Sequence, residues 1–179
     1  MSEPGGDQEL VRRHVSGDEA AFAALVARHR RYAYGLCYRI LGNHHDAEDA
    51  SQEAFLRAAR GLEGFRGTAT FKSWLTRILI NACINRQRSE RRRSAASLSA
   101  ESSEREAGSG GVELTELQAA VQAAIGRLPE KQRAALVLRV YEELSFGEIG
   151  ELLEVTPEAA RANVCLARKR LRELLSPLV

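Results

Sequence analysis

Aromatic side chains make up only 6% of the 179 residues, and β-branched residues are sparse. Both classes favour strands, so the composition turns the chain toward Ala/Leu/Arg-rich helices. Cysteine is scarce too. Cys37, Cys83 and Cys165 are odd in number and far apart, which argues against a disulfide framework and against a zinc site. Cys37 and Cys83 fall within helical patterns, as small buried residues do. No apolar run approaches the ~18 residues of a membrane span, and no signal peptide opens the chain. The expected protein is soluble and cytoplasmic, without membrane insertion. Also missing are a Gly-x-Ser-x-Gly elbow, a phosphate-binding glycine loop and any nucleophile–base pairing. His44-His45-Asp46 lacks a second ligand cluster, so it reads as a polar turn and not as a metal site. Neither an enzyme nor a cofactor is expected.

What is present is an uneven charge. The net value is +2, but residues 1–60 sum to −1, residues 61–93 to +6 and residues 94–113 to −3. Residues 114–179 balance overall, yet five of their nine basic residues crowd between Arg161 and Arg172 without an acid among them. Two basic patches separated by an acidic stretch suit two contacts with a polyanion.

Helical patterns fill most of the chain. After a polar start, a helix is expected from about Asp18, its cap, with Phe22, Leu25, Val26, His29, Ala33, Leu36 and Ile40 as an apolar stripe. Gly42-Asn43 ends it. A second helix spans about Asp46–Arg60. Ala47, Ala50, Ala54 and Ala58 let a neighbour pack closely, and Asp46, Asp49 and Glu53 share another face at its exposed start. With no apolar pocket to raise a pKa, these acids read as a docking surface and not as catalytic carboxylates. After the loop 61–70 a third helix sets Phe71, Trp74, Leu75, Ile78 and Ala82 inward, while Lys72, Thr76, Arg77, Asn81, Asn85 and Arg88 lie elsewhere. Residues 94–113 are Ser/Gly/Glu-rich with one Leu and cannot bury enough apolar surface to order themselves. The architecture expected is therefore all-α: one small helical domain over 8–93, a flexible acidic linker over 94–113, and a second over 114–176.

In the second domain Pro129 suits a first helical turn. Ser145 and Glu148 form a capping-box pattern, and Thr156-Pro157 opens a further helix. Residues 145–172 thus have a helix-turn-helix layout, with Glu158, Arg161, Ala162 and Cys165 on or near the base-reading face and Arg168 and Lys169 placed for phosphates. A plain helical hairpin with a solvated basic face is the alternative. Phe65–Arg93 is a second candidate nucleic-acid surface. Lys72, Arg77 and Arg88 suit phosphates of a single strand, and Thr68 and Thr70 could hydrogen-bond an unstacked base. Trp74 sits at core spacing with Phe71 and Ile78.

These pieces together resemble the extracytoplasmic-function (group IV) sigma factors of bacterial RNA polymerase, from Gln8 to Leu175. The stretches that carry the resemblance are DAEDASQEAF, FRG followed by FKSWL, and LPEKQR followed by LSFGEI. It implies that the acidic helix docks on the β′ clamp helices of core RNA polymerase through Asp46, Glu48, Asp49, Gln52 and Glu53, with contacts to the β subunit elsewhere. It further implies that Phe65, Arg66, Gly67, Thr68, Thr70, Lys72, Ser73, Arg77, Asn81 and Arg88 capture unpaired −10 bases of promoter DNA. Thr156 and the helix after it, with Glu158, Arg161, Ala162, Cys165, Arg168 and Lys169, would read the −35 duplex. The linker would thread the polymerase cleft, and an anti-sigma factor would hold the chain inactive. Glu154 departs from the pattern, standing in the helix-turn-helix turn where the family often has Gly, as do Asn163 and Leu166, at positions that are commonly Arg. A helix-turn-helix regulator acting without polymerase is the rival reading, and a sigma-like decoy is another. The first leaves residues 46–58 and the −10-type segment idle.

Overall fold

The computed structural model describes residues 6–96 and 116–176. Among them the secondary structure is helical, with no strand. The helices are α1 (Asp7–Val15), α2 (Glu19–Leu41), α3 (His44–Gly61), α4 (Phe71–Ala96), α5 (Glu116–Gly126), α6 (Glu130–Val140), α7 (Phe146–Leu153) and α8 (Pro157–Leu175), with a short 3-10 turn at Leu62–Gly64. The linker expected over 94–113 lies outside the described residues, apart from its first three positions, which continue α4.

Local chemistry sets the helix ends. The Asp18 carboxylate accepts from the Ala21 N–H, and Gly42 closes α2 with φ 83°, a left-handed cap that costs glycine nothing. Asn43 caps α3 by accepting from the Asp46 N–H. Ser145 and Glu148 form a reciprocal capping box on α7, and Thr156 accepts from the Ala159 N–H ahead of Pro157. The polar start of the chain also contains a helix. In α1, Asp7 and Glu9 lie in the first turn and Arg12 and Arg13 in the last, as the helix dipole favours, and only Leu10 and Val11 are buried. Asp7 ties it down, reaching Arg28 at 2.8 Å and His29 at 2.8 Å.

Helices α2, α3 and α4 pack on one another through the expected stripes. Leu25, Ala33, Leu36, Ile40, Ala47, Ala50, Ala54, Ala58, Phe71, Leu75, Leu79 and Ile80 are buried there. Each large apolar chain so buried contributes about 1.5–3 kcal/mol. Cys37 and Cys83 are buried within this group. The Cys37 contact and burial push the Cys83 thiol up, so it stays protonated and behaves as a small apolar residue. Helices α6, α7 and α8 form the second group around Val137, Leu138, Ile149, Leu153, Ala160, Val164 and Ala167. The two groups touch. The buried Arg133 guanidinium donates to the Ile40 carbonyl at 2.7 Å, sharing that acceptor with Gln87, and also donates to Leu128 and Gly126 carbonyls.

Candidate nucleic-acid and polymerase interfaces

Three surfaces carry the candidate residues. The first is the acidic start of α3. The Asp46 side chain is only 8% exposed and points into the fold. The Arg86 Nε of α4 donates to its Oδ1 at 2.7 Å, and Asn43 Nδ2 donates to its Oδ2 at 2.7 Å. Burial pushes the Asp46 carboxyl up, but the Asn43, Glu90 and Arg86 hydrogen bonds outweigh it and hold the carboxyl below its ordinary range. Arg86 also reaches Asp49 at 2.9 Å. The expectation that Asp46 shares an exposed face with Asp49 and Glu53 is therefore corrected: the partner residue lies 40 positions away in sequence and turns it inward. Glu48, Gln52 and Glu53 are exposed, and Asp49 is partly so. Glu53 pairs with Arg57 along the same helix. Leu56, 61% exposed, lies one turn beyond Gln52 and Glu53. The sequence reading passed over both Leu56 and Arg86. The i+4 spacing from Gln52 could have shown Leu56, but nothing local marks Arg86.

The second surface is the loop 65–70 and the face of α4 that follows. Arg66, Gly67, Thr68, Thr70, Lys72, Ser73, Arg77 and Arg88 are exposed, and Phe65 and Asn81 are half-buried. Ser73, Arg77, Asn81 and Arg88 follow helical spacing along one side of α4. Gly67 takes φ 69°, which lets the loop turn. Thr70 starts α4, its hydroxyl accepting from the Ser73 N–H. Trp74 packs on Phe65 and Phe71, with ring centroids at 5.2 and 5.9 Å, and against Gly61, so it supports the loop from below. Thr76, expected outside the core, is buried instead. Its hydroxyl donates to the Lys72 carbonyl at 2.8 Å, and a 2.6 Å bond ties it to the Tyr32 hydroxyl. Burial pushes the Tyr32 phenol up, and the Lys72 ammonium sits over its ring at 4.3 Å.

The third surface is α8. Thr156, Glu158, Arg161, Ala162, Cys165, Arg168 and Lys169 are all exposed, and their spacing puts Glu158 to Lys169 on one face. Asn163 is half-buried and Leu166 is 47% exposed. Arg161 lies over the Phe146 ring at 5.1 Å, joining the two helices of the motif. Glu154 adopts φ 54°, ψ 50° at the turn between them. A left-handed non-glycine residue costs about 1–2 kcal/mol. Gly150 explains how close that turn lies, since a Cβ there would sit 2.8 Å from the Val155 carbonyl oxygen. Among the described residues no group of His, Cys, Asp or Glu is arranged to hold a metal ion, and no helix is long and apolar enough to cross a membrane.

Comparison with known proteins meets this geometry domain by domain. Residues 25–93 match the Sigma-70 region 2 family, and residues 118–171 match Sigma-70 region 4. The chain is 34% identical to the RNA polymerase sigma-H factor of Pseudomonas aeruginosa, covering 97% of this chain and 95% of that one. It is 34% identical to the ECF RNA polymerase sigma factor SigW of Bacillus subtilis, covering 96% and 97%. Its fold matches a solved structure of the sigma factor RpoE in complex with the anti-sigma factor NepR from Bartonella quintana, with TM-score 0.71 at 22% identity over 87% of this chain and 96% of that one.

Proposed function

The chain belongs to the extracytoplasmic-function family of RNA polymerase sigma factors, and on that premise we propose a division of labour among its surfaces. Members of this family are transcription initiation factors, and the chemistry of RNA synthesis belongs to the core enzyme. The domain over 8–93 docks on core polymerase and handles the −10 element, and the domain over 114–176 reads the −35 element. Residues 94–113 thread between them through the polymerase cleft.

Docking falls to Glu48, Asp49, Gln52 and Glu53, facing the basic clamp helices of β′. Leu56 supplies an apolar anchor among the acids, the kind of residue that carries more binding energy than a rim charge. Asp46 acts indirectly: it fixes Arg86, which in turn orients Asp49. In the −10 region, Arg66, Lys72, Arg77 and Arg88 hold phosphates. The loop Phe65–Thr70, propped on Trp74, receives bases turned out of the duplex. Opening costs on the order of 1–2 kcal/mol per base-pair step. Capture returns about 1–3 kcal/mol per stacked base. Helix α8 enters the major groove, with Glu158, Arg161, Ala162 and Cys165 toward base edges and Arg168 and Lys169 on phosphates. Asn163 and Leu166 leave this face with fewer cations than the family pattern, so −35 affinity should have a shallow salt dependence. An anti-sigma protein is the expected regulator, as NepR is the partner of the Bartonella quintana protein.

The observation that carries the reading is the separation of one acidic and two basic faces on elements that match sigma regions 2 and 4. The test is promoter selection: the protein and bacterial core polymerase are incubated with a DNA library, and bound templates are sequenced. Two conserved boxes about 35 and 10 positions before the start site are expected. Arg161→Ala should relax the upstream box and Arg77→Ala should weaken opening at the downstream one. Enrichment of a single duplex motif, without dependence on polymerase, would overturn the reading.

A further inference from the structure

The two domains do not merely touch; acids of one meet cations on a working face of the other. The N-terminal end of α4 and the loop before it form one wall of a cavity of about 550 Å³, and the loop after α6 with α7 forms the opposite wall. Arg66, Lys72 and Arg77 face Glu142, Glu148 and Glu151 across it, three cations against three acids. Two of these meetings are direct. Lys72 Nζ lies 3.2 Å from the Glu142 carboxylate, whose side chain is only 10% exposed. Arg77 Nη2 donates to the Glu151 carbonyl at 3.0 Å. That carbonyl belongs to the last turn of α7, where unpaired carbonyls and the helix dipole concentrate negative potential. Both cations therefore find on α7 and its approach what a phosphate would otherwise provide.

Two further contacts anchor the arrangement away from the cavity. Arg133 reaches the Ile40 carbonyl from within the second domain, and Arg39 stacks over Tyr141 at 4.5 Å. The C-terminal reading helix has no such cover. The contacts of the residues from Thr156 to Lys169 assigned to DNA, the Thr156 cap and the Arg161–Phe146 stacking, stay within the second domain.

We propose that this is a one-sided latch. In the closed chain Lys72 and Arg77 of the single-strand face are engaged by the acidic rim of the second domain, while α8 stays free to bind duplex DNA. The inference rests on the sigma reading above, because it takes Lys72 and Arg77 as DNA contacts. It goes further in assigning Tyr141 and Glu142, which touch no DNA in that reading, the role of gating those contacts. The free chain then binds duplex before single strand, and the −10 face becomes available once the second domain is drawn off.

The test uses the full chain and fluorescence anisotropy with two labelled probes: a random-sequence single-stranded 12-mer and a random-sequence duplex. Sequence-tolerant stacking and phosphate contacts make the first a fair probe of the −10 face. Tyr141→Ala/Glu142→Gln removes two latch contacts without touching the DNA face. Glu143→Gln makes the same charge change at an exposed neighbour outside the cavity. The double variant is expected to bind the single strand at least five-fold more tightly than wild type and the duplex within two-fold, with Glu143→Gln matching wild type. Equal single-strand binding by wild type and the double variant overturns the latch and leaves the sigma reading standing. An equal gain for Glu143→Gln also overturns it, since charge alone would then explain the effect. No single-strand binding by any of the three overturns the latch together with the assignment of Lys72 and Arg77 as single-strand contacts of the free chain.

Discussion

Arg86→Ala tests how the acidic helix is held. The substitution removes two hydrogen bonds at once, to Asp46 and to Asp49. Asp46 would keep Asn43 and Glu90 as side-chain partners while remaining 8% exposed. Exposed ion pairs are worth about 0–1 kcal/mol. Breaking a fully buried pair costs about 3–5 kcal/mol because the surviving charge is stranded. Arg86 is 24% exposed, so water reaches one side of the pair, and the loss should fall between those limits, at about 2–3 kcal/mol. In urea that corresponds to a midpoint lower by about 1–2 M. The chain has a single tryptophan, and Trp74 packs between Phe65 and Phe71 of the same domain. Its fluorescence therefore reports unfolding of this domain directly. Adding Asp46→Asn to Arg86→Ala removes the stranded charge and should recover more than half of the loss. The pH dependence should also weaken. In wild type the Asp46 carboxyl titrates below its unfolded value, so its contribution is present above the ordinary carboxylate range and is lost as pH falls through the lowered value. In Arg86→Ala the Asn43 and Glu90 hydrogen bonds remain and only the Arg86 contribution is lost, so less stability should be lost on acidification than in wild type. A midpoint shift below about 0.3 M, or a double variant less stable than the single one, would refute the reasoning.

Gly150→Ala forces a Cβ against backbone at 2.8 Å, and should cost about 1–3 kcal/mol, read as lost amide-exchange protection in α7 and α8. Glu154→Gly relieves the left-handed strain at about 1–2 kcal/mol but adds glycine's freedom in the unfolded chain, for a net gain of about 0.5–1 kcal/mol by the same measurement. Thr156→Ala removes the cap of α8, and should cost about 1 kcal/mol of domain stability in thermal melts and weaken duplex binding in step.

What could be read from the sequence was what neighbours in sequence decide. Asp18, Ser145-Glu148 and Thr156-Pro157 cap where their spacing says they cap, because a cap involves only the next three residues. The alanine stripe of α3 was legible for the same reason, while the turn at Glu154 was marked only by the family's usual glycine there. The failures are long-range. Asp46 looked exposed because Arg86 lies on another helix. Thr76 looked polar and outward because its partner Tyr32 sits 44 positions earlier. Helix α1 was missed because two buried side chains make a faint stripe, and Asp7 secures it to α2 across 21 and 22 positions. The contact between the domains has no local signature at all. Arg133, Tyr141 and Glu142 become interdomain residues only once both groups are folded.

The most direct test of the account is assembly with core polymerase. Purified protein is mixed with bacterial core enzyme and run on a sizing column, and the experiment is repeated with Gln52→Arg/Glu53→Arg. Both positions are exposed, and neither touches Arg86. The account predicts co-elution of the wild-type chain with core and at least a ten-fold weaker complex for the charge-reversed one, whose far-UV circular dichroism stays unchanged. A charge-reversed chain that binds core as tightly as wild type, or a wild-type chain that does not bind core at all, would contradict it.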